Sequence, residues 1–500
     1  MERVACQPPT CDKLPLALIS ATRLFGTLTP YRHLLLHCLP HEILAAIFLA
    51  ALQGLDEQYD AIMTSVTLSH VCARWRHVAR STRGLWTNIL ITFPISYGQI
   101  SLAVMFLNLS GSYPLDILLD MRDPSWNWEE VESAHGLRWS DMDLVLRILL
   151  IHVRRWRHFQ LLSDTWMPIY SFFSHTHRVA RAPMLETISL SRCNAYFASK
   201  DAVFSPVETG RPVAFFGGLG FEKLREVGLI GVHVDWAGSS SSLRNLTVLE
   251  LKYLAGDVAP SIHEFIEMLC ASPNLQHLSI VGRGPKIDVA LSEEGFSSGI
   301  RTKVHLGKLK RFMLGFAEVD YALRLLPLFS FPALEELILE GFSMDYSLLE
   351  HISPDATPIL EWLSTGQRAD TSRVTPPSPS TPIPLTLIKT LSLDGINASE
   401  AVLSRFFNQL KGLERLYLSN MDEKALKALA TSTNDSVLLP CPRLQELDWG
   451  GNHLEAFIAA IKARAKLVSY PSTAVEPTDQ IIGCTDGPNF NEALSCPSSG

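Results

Sequence analysis

His33, His37 and His41 recur at every fourth residue, with Cys38 among them. On one unbroken helix those side chains would share a face and could close on zinc. Pro40 lies between them and breaks such a helix, so the expectation is no metal. His175 and His177 have no cysteine near them and carry the same expectation. HVRRWRHF, residues 152–159, sets Arg154, Arg155 and Arg157 around Trp156 and Phe159, a mixture that some nucleic-acid surfaces use. One short patch in a chain of formal charge −8 points instead to aromatics in a core and arginines in water. GGLG at 217–220 and GRGPK at 282–286 lack the Lys-Ser/Thr ending of a phosphate loop and the glycine spacing of a dinucleotide fold. Neither GxSxG nor HExxH occurs. The nine cysteines are irregularly placed with no CxxC pair, and they read as reduced thiols rather than a disulfide framework. No catalytic group, metal or cofactor is expected. The chain reads as a protein that binds rather than transforms.

A binding protein of 500 residues needs a scaffold, and a repeated phrase supplies one. From Pro183 onward PMLETISL, FEKLREVGL, LRNLTVLEL, PNLQHLSI, LGKLKRFML, PALEELIL, LTLIKTLSL, LKGLERLYL and PRLQELDW follow one another. Each fits L-x-x-L-x-L with tolerance for other apolar residues. The anchors are Leu185, Leu224, Leu246, Leu275, Leu309, Leu334, Ile388, Leu413 and Leu444, most of them roughly 22 to 39 residues apart. RRWRHFQL adds a weaker copy at Trp156, Phe159 and Leu161. The last two apolar positions of each phrase point the same way from a short strand, because strand side chains alternate. One such strand cannot bury its face alone, whereas stacked copies can. SIHEFIEMLCAS (261–272) and SEAVLSRFFNQL (399–410) have helical spacing and would return the chain. The expectation is an irregular leucine-rich-repeat solenoid with a parallel sheet on its concave face. It is irregular because the Asn or Cys that usually ends the phrase occurs only at Cys193 and Asn452. Elsewhere the position holds Val232, Leu254, Arg283, Ala317, Phe342, Ile396 or Met421.

Two helices precede this array. In LPHEILAAIFLAAL, residues 39–52, Leu39-Pro40 leads into a helix whose positive end suits Glu42. Ile43, Leu44, Ile47, Phe48 and Leu49 then go almost all round the axis. Such a helix is covered on more than one side, and about 50 residues are too few to do the covering. In LSHVCARWRHVARSTRGLW, residues 68–86, Leu68, Val71, Cys72, Trp75, Val78 and Ala79 fall within an arc of roughly 120°. The helix is expected from Leu68, with Arg74, Arg76 and Arg80 in solvent. The stretch between, about Leu52 to Thr67, reads as a long connection of unassigned conformation.

LP-x-EIL, then LS-x-VC-x-RWR-x-VA and LW, resembles the F-box in the form common in mushroom-forming fungi. GSYPLDILL (111–119), HVRRWRHFQL and the repeats follow in the order usual for that group. The resemblance covers Leu39 to Trp86, about a tenth of the chain. It implies that Leu39, Pro40, Ile43, Leu44, Ile47, Phe48, Val71, Cys72, Trp75 and Val78 build the F-box core and the surface for a Skp-type adaptor. Which residues serve which purpose stays open, with Trp75 expected mainly in the core. The adaptor would join the chain to a cullin-RING ubiquitin ligase as its substrate receptor, while the repeats hold a target protein. The alternative is an interaction scaffold that carries out no ubiquitylation.

The expected layout is an N-terminal extension at 1–37 and a small all-helical F-box at 38–90. A connecting region with degenerate first repeats follows at 91–180, then the repeat array at 181–469 and a disordered tail at 470–500. A Pro/Ser/Thr-rich loop at 364–384 is too polar to pack. The best apolar run, Ile43–Leu52, is about half of what a bilayer needs, so no membrane partner is expected. The acidic charge balance argues against a nucleic-acid partner, and the reduced cysteines lead to the expectation of cytoplasm or nucleus. Residues between and after the last two anchors of each phrase should face away from the core. On that strip Glu340, Asp394, Tyr417 and Asp448 are the expected target-binding residues, a mildly acidic surface for a basic segment. Tyr417 is its single large aromatic, the kind of residue on which binding energy concentrates.

Overall fold

The structure, a computed structural model, describes residues 39–55, 57–127, 130, 132–193, 207–254, 258–287, 303–342, 354–366, 383–430, 439–451 and 453–468. The expected extension at 1–37 and tail at 470–500 lie outside these residues, as does most of the expected loop. The two ends of that loop are ordered helix and core: Ser364 lies in a helix and Ile383 is buried. The chain divides into two units, one ending at Trp86 and one beginning at Thr87.

The first unit is helical. α1 (His41–Gln53) starts at Pro40, carries Glu42 in its first turn and stops at Gly54. α2 (Gln58–His70) occupies the stretch that the sequence left as a connection. Its apolar signal is weak because Ser65 and Ser69 share the buried stripe with Ala61 and Ile62. The Ser65 hydroxyl reaches the Ala61 carbonyl (2.9 Å) and the Leu85 carbonyl (2.8 Å), so the serine is satisfied inside the unit. α3 (Ala73–Ser81) begins five residues later than the periodicity predicts. Cys72 is extended, and its Sγ accepts the Trp75 N–H at 3.4 Å, which makes it the N-cap. A 3-10 turn, Arg83–Trp86, closes the unit with the Trp86 indole N–H on the Ala79 carbonyl (2.7 Å).

The second unit is a mixed α/β assembly around a parallel sheet that has twelve strands among the described residues. Its strands are β1 (Asn88–Thr92), β2 (Leu115–Met121), β3 (Trp156–Ser163), β4 (Thr187–Arg192), β5 (Glu226–Ile230), β6 (Val248–Lys252) and β7 (His277–Val281). A two-residue β8 (Val304–His305) pairs apart from the sheet with β10 (Phe329–Ser330). The sheet resumes with β9 (Arg311–Phe316), β11 (Glu336–Gly341), β12 (Thr390–Asp394), β13 (Arg415–Ser419) and β14 (Glu446–Gly450). Strand order follows chain order throughout. Parallel neighbours need crossovers, and helices lie in many of them: α4 (Tyr97–Leu109), α5 (Trp139–Leu150), α6 (Trp166–Thr176), α7 (Trp236–Ser239), α8 (Ile262–Cys270), α9 (Val319–Leu325), α10 (Thr357–Thr365), α11 (Glu400–Gln409) and α12 (Lys424–Ala430). α13 (Leu454–Val468) follows the last strand.

Each repeated phrase places its strand at the predicted register. Leu190, Leu229, Leu251, Ile280, Leu314, Leu339, Leu393 and Leu418 align across neighbouring strands and are buried. Phe159 of β3, two residues before Leu161 of that row and on the same side of the strand, stacks on Phe172 of α6 with ring centroids 4.8 Å apart, which fixes that side as the helix-covered face. At the offset where the repeat pattern would carry asparagine, Val232, Leu254, Ile396 and Met421 are buried, whereas Arg283, Ala317 and Phe342 are half-buried. The sheet also runs unbroken through 91–180. That stretch supplies the last two residues of β1 and all of β2 and β3.

Candidate functional site

In the helical unit, exposure divides the ten residues that the sequence brought together. Leu44, Phe48 and Val78 are buried at 0–1% and can reach no partner while the unit is folded. Leu39, Cys72 and Trp75 are half-buried. Trp75 packs against Phe48, with ring centroids 4.8 Å apart. Pro40 is exposed, and Ile43, Ile47 and Val71 stand 49%, 46% and 56% in solvent. At 100° per residue Ile43, Ala46, Ile47, Leu49 and Ala50, all exposed and apolar, share the open arc of α1, with the exposed Glu42 and Gln53 on the same arc at the two ends of the helix. An amphipathic helix folded for itself alone turns polar residues to that side. A continuous apolar arc in water marks a binding surface. Tyr59 and Met63 on α2 are also exposed, and sequence periodicity gave no hint of them because α2 itself was not foreseen.

Arg74 is not the solvated residue that the sequence suggests. Its guanidinium donates to the Leu39 carbonyl, which ties the start of α3 to the Leu39-Pro40 entry of α1. The helical order, the Leu-Pro entry and the Arg-Trp clamp are now all in place. Residues 36–92 match the F-box-like family. No curated protein matches the chain. The F-box-like domain thus carries the exposed arc on its first helix, with a core of Leu44, Phe48, Val78 and Trp86 beneath it.

In the α/β unit the strip opposite the helices is built as rows across the strands. Ile338, Ser392, Tyr417 and Asp448 form one row, and Glu340 and Asp394 are direct partners in the next. Burial pushes the Glu340 carboxyl up to about 7; Asp394 adds to the shift and Lys252 opposes it. Burial also raises Asp394, against the Asn420 amide, which donates to it at 2.7 Å. The Tyr417 hydroxyl donates to Glu446 at 3.1 Å. Those four residues therefore do share one face. The strip as a whole is less open than alternation alone suggests: Ser191, Ser279, Val281, Ile338 and Ser392 are all under 7% exposed. Tyr417 is not its one large aromatic either. Tyr253 and Phe342 follow their strands and lean back over the strip, positions that the two-per-strand count leaves out.

The chemistry-bearing residues have structural roles. Arg155 of HVRRWRHF donates to the Tyr113 (2.9 Å) and Leu107 (3.3 Å) carbonyls at the end of α4, and Arg157 pairs with Asp116. Trp156 and Phe159 are buried. His175 sits 3.3 Å from Asp143 and against the Ser171 carbonyl at 2.8 Å. His33, His37 and Cys38 lie outside the described residues. Among the described residues no three His, Cys, Asp or Glu side chains come together as a metal site. Burial pushes the Cys441 thiol up to about 12 and Cys193 up to about 11, the opposite of an activated nucleophile. No described helix is long and apolar enough to cross a membrane.

Proposed function

We propose that this protein is the substrate-recognition subunit of an SCF-type ubiquitin ligase. The F-box-like domain docks a Skp-type adaptor through Pro40, Ile43, Ile47 and Val71, and Leu39, Cys72 and Trp75 line the edge of that surface. Leu44, Phe48 and Val78 serve it from beneath as core. The parallel strands are a degenerate leucine-rich-repeat array of the kind found in basidiomycete fungi, and they hold a target protein on the strip that carries Glu340, Asp394, Tyr417 and Asp448. The chain brings no catalytic group of its own. It raises the effective concentration of its target beside a ubiquitin-charged enzyme, in cytoplasm or nucleus.

The observation that supports this reading is the exposed apolar stretch of the α1 solvent arc between Ile43 and Ala50. The deciding measurement is adaptor capture by the parent chain and by the Ile43→Ser/Ile47→Ser double variant. Full burial of an aliphatic side chain is worth about 1.5–3 kcal/mol. Each isoleucine has about half of that left to gain, so the pair should cost on the order of a hundredfold in affinity with no loss of helical signal. Equal capture of both proteins would remove the adaptor reading. Adaptor capture without any cullin would favour the scaffold alternative.

A further inference from the structure

Tyr253 and Phe342 come from strands three apart in the sheet, yet their ring centroids lie 6.2 Å from each other. Two glycines between them permit this. A Cβ on Gly315 would lie 3.3 Å from the Phe342 ring edge and 2.6 Å from Val281 Cγ1. A Cβ on Gly282 would lie 3.3 Å from Tyr253 Cα. The rings therefore close over Val281 and Ile230 and make a second apolar cluster on the side of the sheet away from the helices. Met313 and Phe342 pack on this cluster while staying half-buried, so each keeps part of its apolar surface in solvent. Water-facing sheet surfaces of a protein that folds only for itself carry polar residues at such positions.

Charge flanks this floor unevenly. On one side Lys252 is spoken for, its Nζ 3.3 Å from the Glu250 carboxylate. On the other, Glu340 shares the row of Gly315 and has no cation within ion-pair distance among the described residues. Its strand partner Asp394 is a second carboxylate, answered among the described residues by the neutral amide of Asn420. A carboxylate partly withdrawn from water, with Lys252 acting on it only from beyond ion-pair contact, is costly to hold. A guanidinium arriving beside it would recover that cost through a charge-assisted, two-pronged hydrogen bond. Large apolar contacts ringed by such a pair are where binding energy concentrates.

We propose that this face binds a partner peptide that seats a bulky apolar side chain on Met313 and Phe342 and an adjacent arginine on Glu340. The proposal rests on the reading of the strip as the target-binding surface and is independent of the adaptor. The test is selection of random heptapeptides on the purified full-length chain, repeated on Glu340→Gln, on Met313→Ser and on Ile43→Ser/Ile47→Ser. The expected result is enrichment of peptides with an arginine within two positions of an aromatic or long aliphatic residue. Synthetic versions of these should bind Glu340→Gln and Met313→Ser at least tenfold more weakly. They should bind the α1 double variant as well as the parent, which separates this claim from the adaptor reading. Enrichment of acidic peptides, no enrichment, or equal binding to parent and Glu340→Gln would each overturn it. A cooperative unfolding curve for each variant guards against a trivial loss of fold.

Discussion

The Trp75 ring meets the Phe48 ring at 4.8 Å between centroids, tilted by 55°. This one contact joins α3 to the inner side of α1 and sets which side of α1 is left in water. Phe48 is fully buried, so Phe48→Ala is expected to cost about 3–5 kcal/mol, enough to unfold a small unit of marginal stability. Trp75→Ala should cost less, because the indole is half-exposed. Ile43→Ser, on the open arc of the same helix, should leave stability almost unchanged. Chemical denaturation of the three variants, followed by far-ultraviolet circular dichroism, gives the ranking. An Ile43→Ser loss as large as that of Phe48→Ala would place the open arc in the core.

GGLG is a turn, not a ligand loop. Gly217 has φ +62°, and a Cβ there would fall inside the van der Waals envelope of the His177 carbonyl. The preceding Phe215 and Phe216 are buried, and Phe216 stacks edge-on to Phe172 at 5.6 Å. Gly217→Ala should therefore lower stability by about 1–3 kcal/mol from backbone strain alone, with further loss from the displaced rings. Gly220→Ala is the control, since its Cβ would meet nothing closer than the Ser241 carbonyl at 3.7 Å. Urea midpoints of the two variants should separate clearly, and matching midpoints would count against the turn.

The repeated phrase made the sheet legible because the same two buried positions recur in every copy, and a parallel sheet reads as such a pattern. Leu190, Leu251 and Leu393 sit where alternation puts them. α2 was illegible for the converse reason: its buried stripe is Ala61, Ile62, Ser65 and Ser69, and two serines at core positions erase the apolar period. The start of α3 was misplaced because Leu68 and Val71 continue the helical period across a real break, and a cysteine serves as the cap. At the sites, spacing could gather Leu44 with Ile43 but could not say which faces inward. Nor could it show that Tyr253 and Phe342, far apart in sequence, meet over two glycines.

Arg464 lies on α13, the helix that follows the last strand. Its guanidinium donates to the carbonyls of Leu429 (3.2 Å), Pro440 (2.8 Å) and Cys441 (3.0 Å). Burial lowers its proton affinity, with some return from Cys441, and it stays charged. Arg464→Met would leave these carbonyls without that donor, and each buried unsatisfied group costs about 1–3 kcal/mol. Non-additivity brings the expected total to about 2–4 kcal/mol. Arg464→Lys should recover only part, because a single ammonium cannot span the three acceptors. Amide hydrogen exchange across α12 and α13 should report faster opening for Met than for Lys, and unchanged protection would show the guanidinium to be dispensable.

Glu340 makes stability depend on pH in a direction opposite to that of an ordinary paired carboxylate. Burial raises its folded value to about 7 from the ordinary 4.5. Below 4.5 the group is protonated in both folded and unfolded chains and contributes no difference. Between 4.5 and 7 the unfolded chain releases the proton first, so it binds fewer protons than the folded chain and stability falls as pH rises. Above 7 both forms are ionised and the penalty is constant. Glu340→Gln removes this penalty while keeping the shape of the side chain. The variant should match its parent near pH 4.5, gain on it up to about pH 7, and stay the more stable of the two at pH 8. Asp394 is itself raised by burial and its charge adds to the Glu340 shift, so the difference between the two proteins reports Glu340 together with that coupling. Denaturation midpoints of the two proteins across pH 4.5 to 8 measure the difference, and parallel profiles would show that the Glu340 carboxylate is solvated after all.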